Sequence, residues 1–197
     1  MTEPERQALE AEVRARCERA DHAGAAAAIV RGYGPELVRF LASLLRSSDD
    51  DLAEVFSIFC EDVVRGLPGF RFASTIRTWS YTVARHAAAR FRRSGRRRGK
   101  RYLLPGELQD VAEQVRSATV DYLRDEVKTK LAVAREKLSD DERTIIMLRV
   151  DRQLGWREIA EIMADETLSA DELRKRDQAL RKRFEVIKAR LRDHMGA

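Results

Sequence analysis

Three histidines, two cysteines and a large store of arginine are the side chains of this 197-residue chain from which chemistry would have to come. His22 and His194 fall near expected helix ends and His86 lies inside an arginine-rich segment, and none has the i, i+4 partner of a metal-binding HExxH helix. No glycine-rich phosphate cradle of the GxxxxGK[ST] or GxGxxG type occurs. Cys17 and Cys60 stand far apart without a CxxC partner, which argues against a disulfide framework or a cysteine zinc site and fits a reducing compartment. No catalytic residue, metal site or cofactor site is therefore expected, and the chain reads as a non-enzyme. The basic residues tell more. Residues 90–101 read RFRRSGRRRGKR, in which every charge is positive. A charge run alone is equally a solvated face, but this one closes a helical segment, where cations suit the dipole. The same segment mixes Arg77, Arg85 and Arg90 with Trp79 and Tyr81. Guanidinium groups bind phosphate bidentately, and rings stack on unpaired bases. The combination points to nucleic acid.

A second basic segment closes the chain. Leu180, Phe184, Ile187 and Leu191 lie on one helical seam. At about 100° per residue, Gln178, Arg181, Lys182 and Glu185 fall on the opposite face, and these are side-chain types that read base edges in a major groove. The preceding GWREIAEIM, residues 155–163, looks like the first helix of a helix-turn-helix, with the small Ala160 where a second helix must cross closely.

The elements that must carry these groups are helical. Prolines 35, 68 and 105 fall between periodic segments. The patterning predicts helices over 3–20, 23–31 and 35–46, with Pro35 in a first turn, then over 48–66 behind the N-cap Ser48, and over 75–93. The stretch 94–121 reads as a basic linker with little amphipathic pattern. Beyond it, Val127, Leu131, Ala134 and Leu138 form a stripe, Ser139 and Glu142 have capping-box spacing, and Ile145, Ile146, Leu148 and Val150 follow. The expected architecture is all-α, with two small domains over 1–93 and 122–197. Charged residues make up 36% of the chain, yet 44% is apolar and the formal net charge is +5. That apolar share argues against wholesale disorder. The longest apolar run, residues 25–30, is far short of the roughly 20 residues of a membrane span. The charged opening MTEPERQALEAEVRARC lacks the apolar core of a secretion signal, so a cytoplasmic protein is expected.

With both basic blocks in view, the chain resembles the extracytoplasmic-function (ECF) class of the sigma-70 family of bacterial RNA polymerase sigma factors. The stretch from Tyr33 to Phe40 is similar to a "Y-x-P-x-L-x-R-F" run of the family's opening helices, and DLAEVFSIFCEDVVRGLPGF resembles its acidic clamp-docking helix and Leu-Pro-x-Phe turn. TIRTWSYTVARHAAARFRR resembles the "F-R-T-W-L-Y-x-I-A-R-N" helix, and LSDDERTIIMLRVDRQLGWREIAEIM with ALRKRFEVIKARLRDHM resembles the promoter-reading helix-turn-helix. The resemblance implies a sigma-2-like domain that grips core RNA polymerase and melts the −10 element, and a sigma-4-like domain that reads the −35 element and sits on the β flap. It implies contacts with the β′ clamp from Asp51, Glu54, Ser57 and Phe59, and −10 DNA contacts from Arg71, Ser74, Arg77, Arg85, His86, Arg90, Arg92 and Arg93. It implies −35 contacts from Gln178, Arg181, Lys182, Glu185 and Lys188. Trp79, which shares a flank with Val83, is expected in the core.

Core polymerase and promoter DNA are thus the implied partners, an anti-sigma factor is compatible with the family, and nucleoid association in the holoenzyme follows. The alternative is a sigma-like helix-turn-helix regulator, or an adaptor that binds polymerase without initiating. Three features depart from the pattern. Ser57 and Ile58 stand where a glutamate often follows the acids, which shifts the clamp contact toward Glu61 and Asp62. His86 stands where an asparagine is usual. Residues 164–178 are inserted before the recognition helix; the pattern there predicts one helix over 170–192, but extra turns at a recognition helix's N-terminus would collide with DNA, so either the helix breaks near Asp177 or −35 reading differs from the norm, and a break or bend on binding is the favoured reading.

Overall fold

The structure is a computed structural model that describes residues 1–45, 48–94, 104–125, 135, 137–166 and 168–195. Among them no strand occurs, and eight α-helices carry the fold: α1 (Glu3–Glu18), α2 (His22–Leu45), α3 (Asp49–Gly66), α4 (Ile76–Ser94), α5 (Gly106–Asp125), α6 (Asp140–Ile146), α7 (Trp156–Ile162) and α8 (Ala170–Met195). They form two compact units, Met1–Arg124 and Asp125–Ala197.

In the first unit α1 to α4 pack around one core. Ser48 caps α3, its hydroxyl accepting from the Asp51 N–H at 3.2 Å, and three aspartates follow in the first turn where the helix dipole favours them. Leu52, Val55, Phe56, Phe59 and Val63 then recur at spacings of three and four and bury one face. They meet Ile29, Tyr33, Leu37, Phe40 and Leu41 of α2 and Ile76, Tyr81, Ala84 and Ala88 of α4, all essentially solvent-free. Phe40 and Tyr81 interlock edge to face with centroids 5.0 Å apart. Each of the larger aliphatic and phenylalanine side chains contributes about 1.5–3 kcal/mol by leaving water.

Two sequence expectations change here. The helices expected over 23–31 and 35–46 are one, with Pro35 in its interior. An interior proline costs about 3 kcal/mol, but Ile29, Val30 and Tyr33 before it and Leu37, Val38 and Leu41 after it bury against the same core. Keeping the two stripes in register outweighs the lost hydrogen bond. The stretch 94–121, expected as a linker, contains most of α5, whose Leu108, Val111 and Ala112 are buried. A close approach seats this helix on α2: a Cβ placed on Gly34 would stand 2.6 Å from Val115 Cγ1. Arg31 and Glu107 pair beside that notch at 2.5 Å. Residues 126–134, with Val127, Leu131 and Ala134 of the expected stripe, and most of the basic run, 95–101, lie outside the described residues.

The second unit begins as its sequence indicates. Ser139 Oγ accepts from the Glu142 N–H at 3.3 Å, and Glu142 Oε2 accepts from the Ser139 N–H at 3.0 Å. α6 then widens into a π-turn over Met147–Asp151. That turn rotates Val150, expected in the apolar stripe, out to 49% exposure while Leu148 stays buried. α7 and α8 cross at the fully buried Ala160. No break is pre-formed near Asp177: α8 is continuous. Leu173 and Leu180 are buried on the one seam, Asp177 pairs with Arg181 one turn on, and Arg176 Nη2 donates to the Met163 carbonyl at 2.5 Å. Buried contacts thus span the segment around Asp177 in the DNA-free chain.

Candidate nucleic-acid interface

The turn Leu67–Gly69 carries the chain from α3 into a short segment, residues 70–75, that feeds α4. Thr75 caps α4: its hydroxyl accepts from the Thr78 N–H at 3.0 Å and its carbonyl from the Trp79 N–H at 3.0 Å. Phe70 and Trp79 lie 4.8 Å apart at 31°, and Phe70 and Phe72 lie 4.8 Å apart at 54°. The three rings are half-buried and form one aromatic surface. Gly66 makes room for it, since a Cβ there would fall 2.8 Å from Trp79 Cζ2. Trp79, expected in the core, therefore lies at its margin. Phe72 has φ +54°, a left-handed conformation that costs a non-glycine residue about 1–2 kcal/mol. Arg71 next to it is exposed and Ser74 is half-buried. Rings and a cation of this kind suit unstacked bases and phosphate.

Along α4 the arginines separate into two kinds. Arg77 turns inward: its Nε and Nη2 donate to the Glu36 carboxylate of α2 at 2.9 and 3.0 Å, with the side chains only 12% and 19% exposed. Burial alone would lower the Arg77 pKa, but the Glu36 carboxylate more than offsets it and holds the group above its ordinary value. A residue expected at −10 DNA thus ties α4 to α2. Arg85 and His86 are half-buried and engaged in other interactions. Arg90 pairs with Asp62 of α3 while its guanidinium stays half-exposed. Arg92 and Arg93 are exposed at the helix end.

Among the residues expected to meet polymerase, Phe59 is fully buried and stacks on Phe56 at 5.6 Å, so it has no surface to offer. Asp51 is 8% exposed. Glu54 and Ser57 are half-buried on α3, and Glu61 and Asp62 are partly accessible beside Arg65 and Arg90. Phe59, which the resemblance implies as a contact, lies instead on the buried seam of α3 with Leu52, Val55, Phe56 and Val63.

In the second unit Trp156 is the centre of a cationic cluster. Phe184 meets it edge-on at 5.2 Å, and the guanidinium groups of Arg149 and Arg181 lie 4.9 and 5.9 Å from its ring. Gln178, Arg181, Lys182 and Glu185 are exposed, as the helical wheel requires. Lys188 is half-buried, bonded to Glu185 at 2.8 Å and 5.1 Å from the Phe184 ring.

Sequence reading missed Glu36 and Arg176 because their partners are remote: Glu36 and Arg77 are 41 residues apart. The one local signal was Glu36 following Pro35 on an otherwise apolar face.

Residues 29–98, which span α2 to α4 and the aromatic segment, match the family model for Sigma-70 region 2. The chain is 35% identical over 107 residues to the RNA polymerase sigma factor YlaC of Bacillus subtilis (strain 168), a match covering 51% of this chain and 57% of that protein. The chain spans a little over half the length of this curated relative. No solved structure matches it. Over α2 to α4 the chain is thus similar to Sigma-70 region 2, and over about half its length to a bacterial sigma factor.

Proposed function

We propose that the chain is an RNA polymerase sigma factor that directs promoter recognition, strand opening and initiation without itself catalysing a reaction. The observation that carries this reading is the aromatic surface of Phe70, Phe72 and Trp79 at the head of the arginine-bearing α4, inside the segment that matches Sigma-70 region 2. Opening a duplex costs about 1.4 kcal/mol of stacking per step. A chain with no nucleotide-hydrolysis motif meets that cost by binding the unstacked strand more tightly than the duplex, which takes rings and cations side by side.

In this reading the first unit holds the β′ clamp through Glu54, Ser57, Glu61 and Asp62, and −10 DNA through Arg71, Ser74, Arg85, His86, Arg90, Arg92 and Arg93. The second reads −35 DNA through Gln178, Arg181, Lys182, Glu185 and Lys188 and sits on the β flap. Two weak modules on one scaffold gain effective concentration. Residues 1–93 with α5 act as the sigma-2-like part, and the helices from α6 onward as the sigma-4-like part. The protein works in the cytoplasm, at the nucleoid when in holoenzyme. No helix among the described residues is long and apolar enough to cross a membrane.

Run-off transcription with purified core polymerase on genomic fragments tests this: specific start sites that depend on the added chain are the expected result. Duplex binding with no initiation on any fragment would instead make it a regulator or an adaptor.

A further inference from the structure

The helix that reaches furthest into the aromatic site is one that no functional motif marks. Glu10 and Arg14 lie one turn apart on α1 and touch the site at two points. The Glu10 carboxylate accepts from the backbone N–H groups of Ile76 at 3.0 Å and Arg77 at 3.4 Å, the first two residues of α4. The Arg14 guanidinium lies 4.4 Å from the centroid of the Phe72 ring. Glu10 and Arg14 thus bracket residues 72–77, the aromatic step and the first turn of the arginine-bearing helix. Resting on the reading of this site as a single-strand platform, we infer that α1 is its fixed wall, and that Glu10 and Arg14 are positioning residues holding Phe72 and the start of α4 in strand-capturing geometry before DNA arrives.

The physical case has three parts. Phe72 sits in a left-handed conformation that the chain does not favour by itself, so something must hold it, and Arg14 on one side with Phe70 on the other supplies that hold. A segment ordered in advance does not lose affinity to ordering on binding. Glu10 also pays a cost that packing alone would avoid. Burial pushes its carboxyl up, against the Ile76 and Arg77 N–H groups and the Arg14 charge that pull it down. Arg6 and Arg14 on α1, Tyr33 and Glu36 on α2 and Arg77 and Tyr81 on α4 are the charged and titratable groups gathered in this region. A carboxylate offers two acceptors to two neighbouring N–H donors at a helix start, where negative charge is favoured. Glutamine keeps one acceptor and turns an amide against the other donor.

The test uses the full chain and its holoenzyme with Glu10→Gln, Arg14→Met and Arg14→Lys. Amide exchange of the free chain is followed at Ile76 and Arg77. Capture of a fluorescent non-template strand, taken from a promoter fragment that the wild-type holoenzyme initiates on, is followed by anisotropy. Glu10→Gln is expected to speed exchange at those two amides about fivefold and to weaken capture, with a melting temperature at or above that of the wild type. Arg14→Met is expected to weaken capture about threefold and Arg14→Lys to restore most of it. Capture unchanged in Glu10→Gln and Arg14→Met, with the wild type active, overturns the inference and leaves the function standing. A parallel fall of capture and melting temperature overturns it too, since that is what a purely structural role gives. A wild-type holoenzyme that captures no strand removes the functional reading instead, and the exchange result then decides: unchanged rates at Ile76 and Arg77 overturn the positioning role, and accelerated rates uphold it.

Discussion

Glu36 and Arg77 show how a residue's role is set by what it meets. Both are charged, and they close a two-point ion pair in which little of either remains exposed. Removing one partner leaves the other charge partly buried and unmatched, which costs more than the pair contributes. Arg77→Ala is therefore expected to lower the stability of the first unit by about 2 kcal/mol, read as a shift of the urea midpoint, and Glu36→Gln, Arg77→Met together to recover most of the loss. Were Arg77 chiefly a DNA contact, the single substitution would leave the midpoint in place. Cys60 belongs to the same scale: it is fully buried, and desolvation pushes its thiol well up, so it behaves as a small apolar residue.

At the scale of elements, two helices set the tests. α5 depends on the absence of a side chain at Gly34. A valine there would drive its Cβ into Val115 Cγ1. Gly34→Val is expected to speed amide exchange across residues 106–120 by more than tenfold while α3 and α4 stay protected, and Val115→Ala in the same chain to restore protection. α6 depends on Glu142. Burial would raise its carboxyl, but the Ser139 N–H and the nearby Arg190 and Arg183 more than offset this and hold it below its ordinary value of 4.5. A depressed carboxyl stabilises the folded state above its ordinary value, and the contribution disappears as pH falls through the lower folded one. Unfolding of the second unit should therefore become easier on acidification below about pH 4.5, and Glu142→Gln should flatten that part of the curve. An unchanged slope in the variant would show that Arg190, 2.7 Å from Glu142, pairs with it without consequence. The amphipathic stripes of α3 and α8 and the caps at Ser48 and Ser139 are local patterns, and the sequence shows them directly. The continuity of α2 through Pro35 and the docking of α5 are not local, because each depends on a core that other helices build.

For the whole molecule the controlling quantity is charge. The chain carries a formal +5, with exposed cations on both α4 and α8. Binding to DNA releases counterions, so log Kd should rise linearly with log salt concentration, by about 0.9 per phosphate contacted. Arg93→Ala and Lys182→Ala, changes at exposed positions in different units, are each expected to reduce that slope by about one and to act additively, measured by titrating holoenzyme with a promoter fragment at several salt concentrations. A slope that neither change alters would place the phosphate contacts elsewhere.

Sequence by itself determined the all-helical class, the exposed cationic face of α8 and the segment similar to Sigma-70 region 2, because periodicity, capping and short motifs are written within a few turns of chain. It also marked the segment from Phe70 to Arg93 as the one with rings and guanidinium groups together. Only the tertiary structure decided which of those groups face outward. It turned Arg77 toward Glu36, sank Phe59 into the core, ran α8 unbroken past Asp177 and brought Glu10 and Arg14 to the aromatic step. Each of these depends on a contact beyond the residue's own stretch of chain, and a one-dimensional pattern holds no record of which partner a side chain will meet when the helices close.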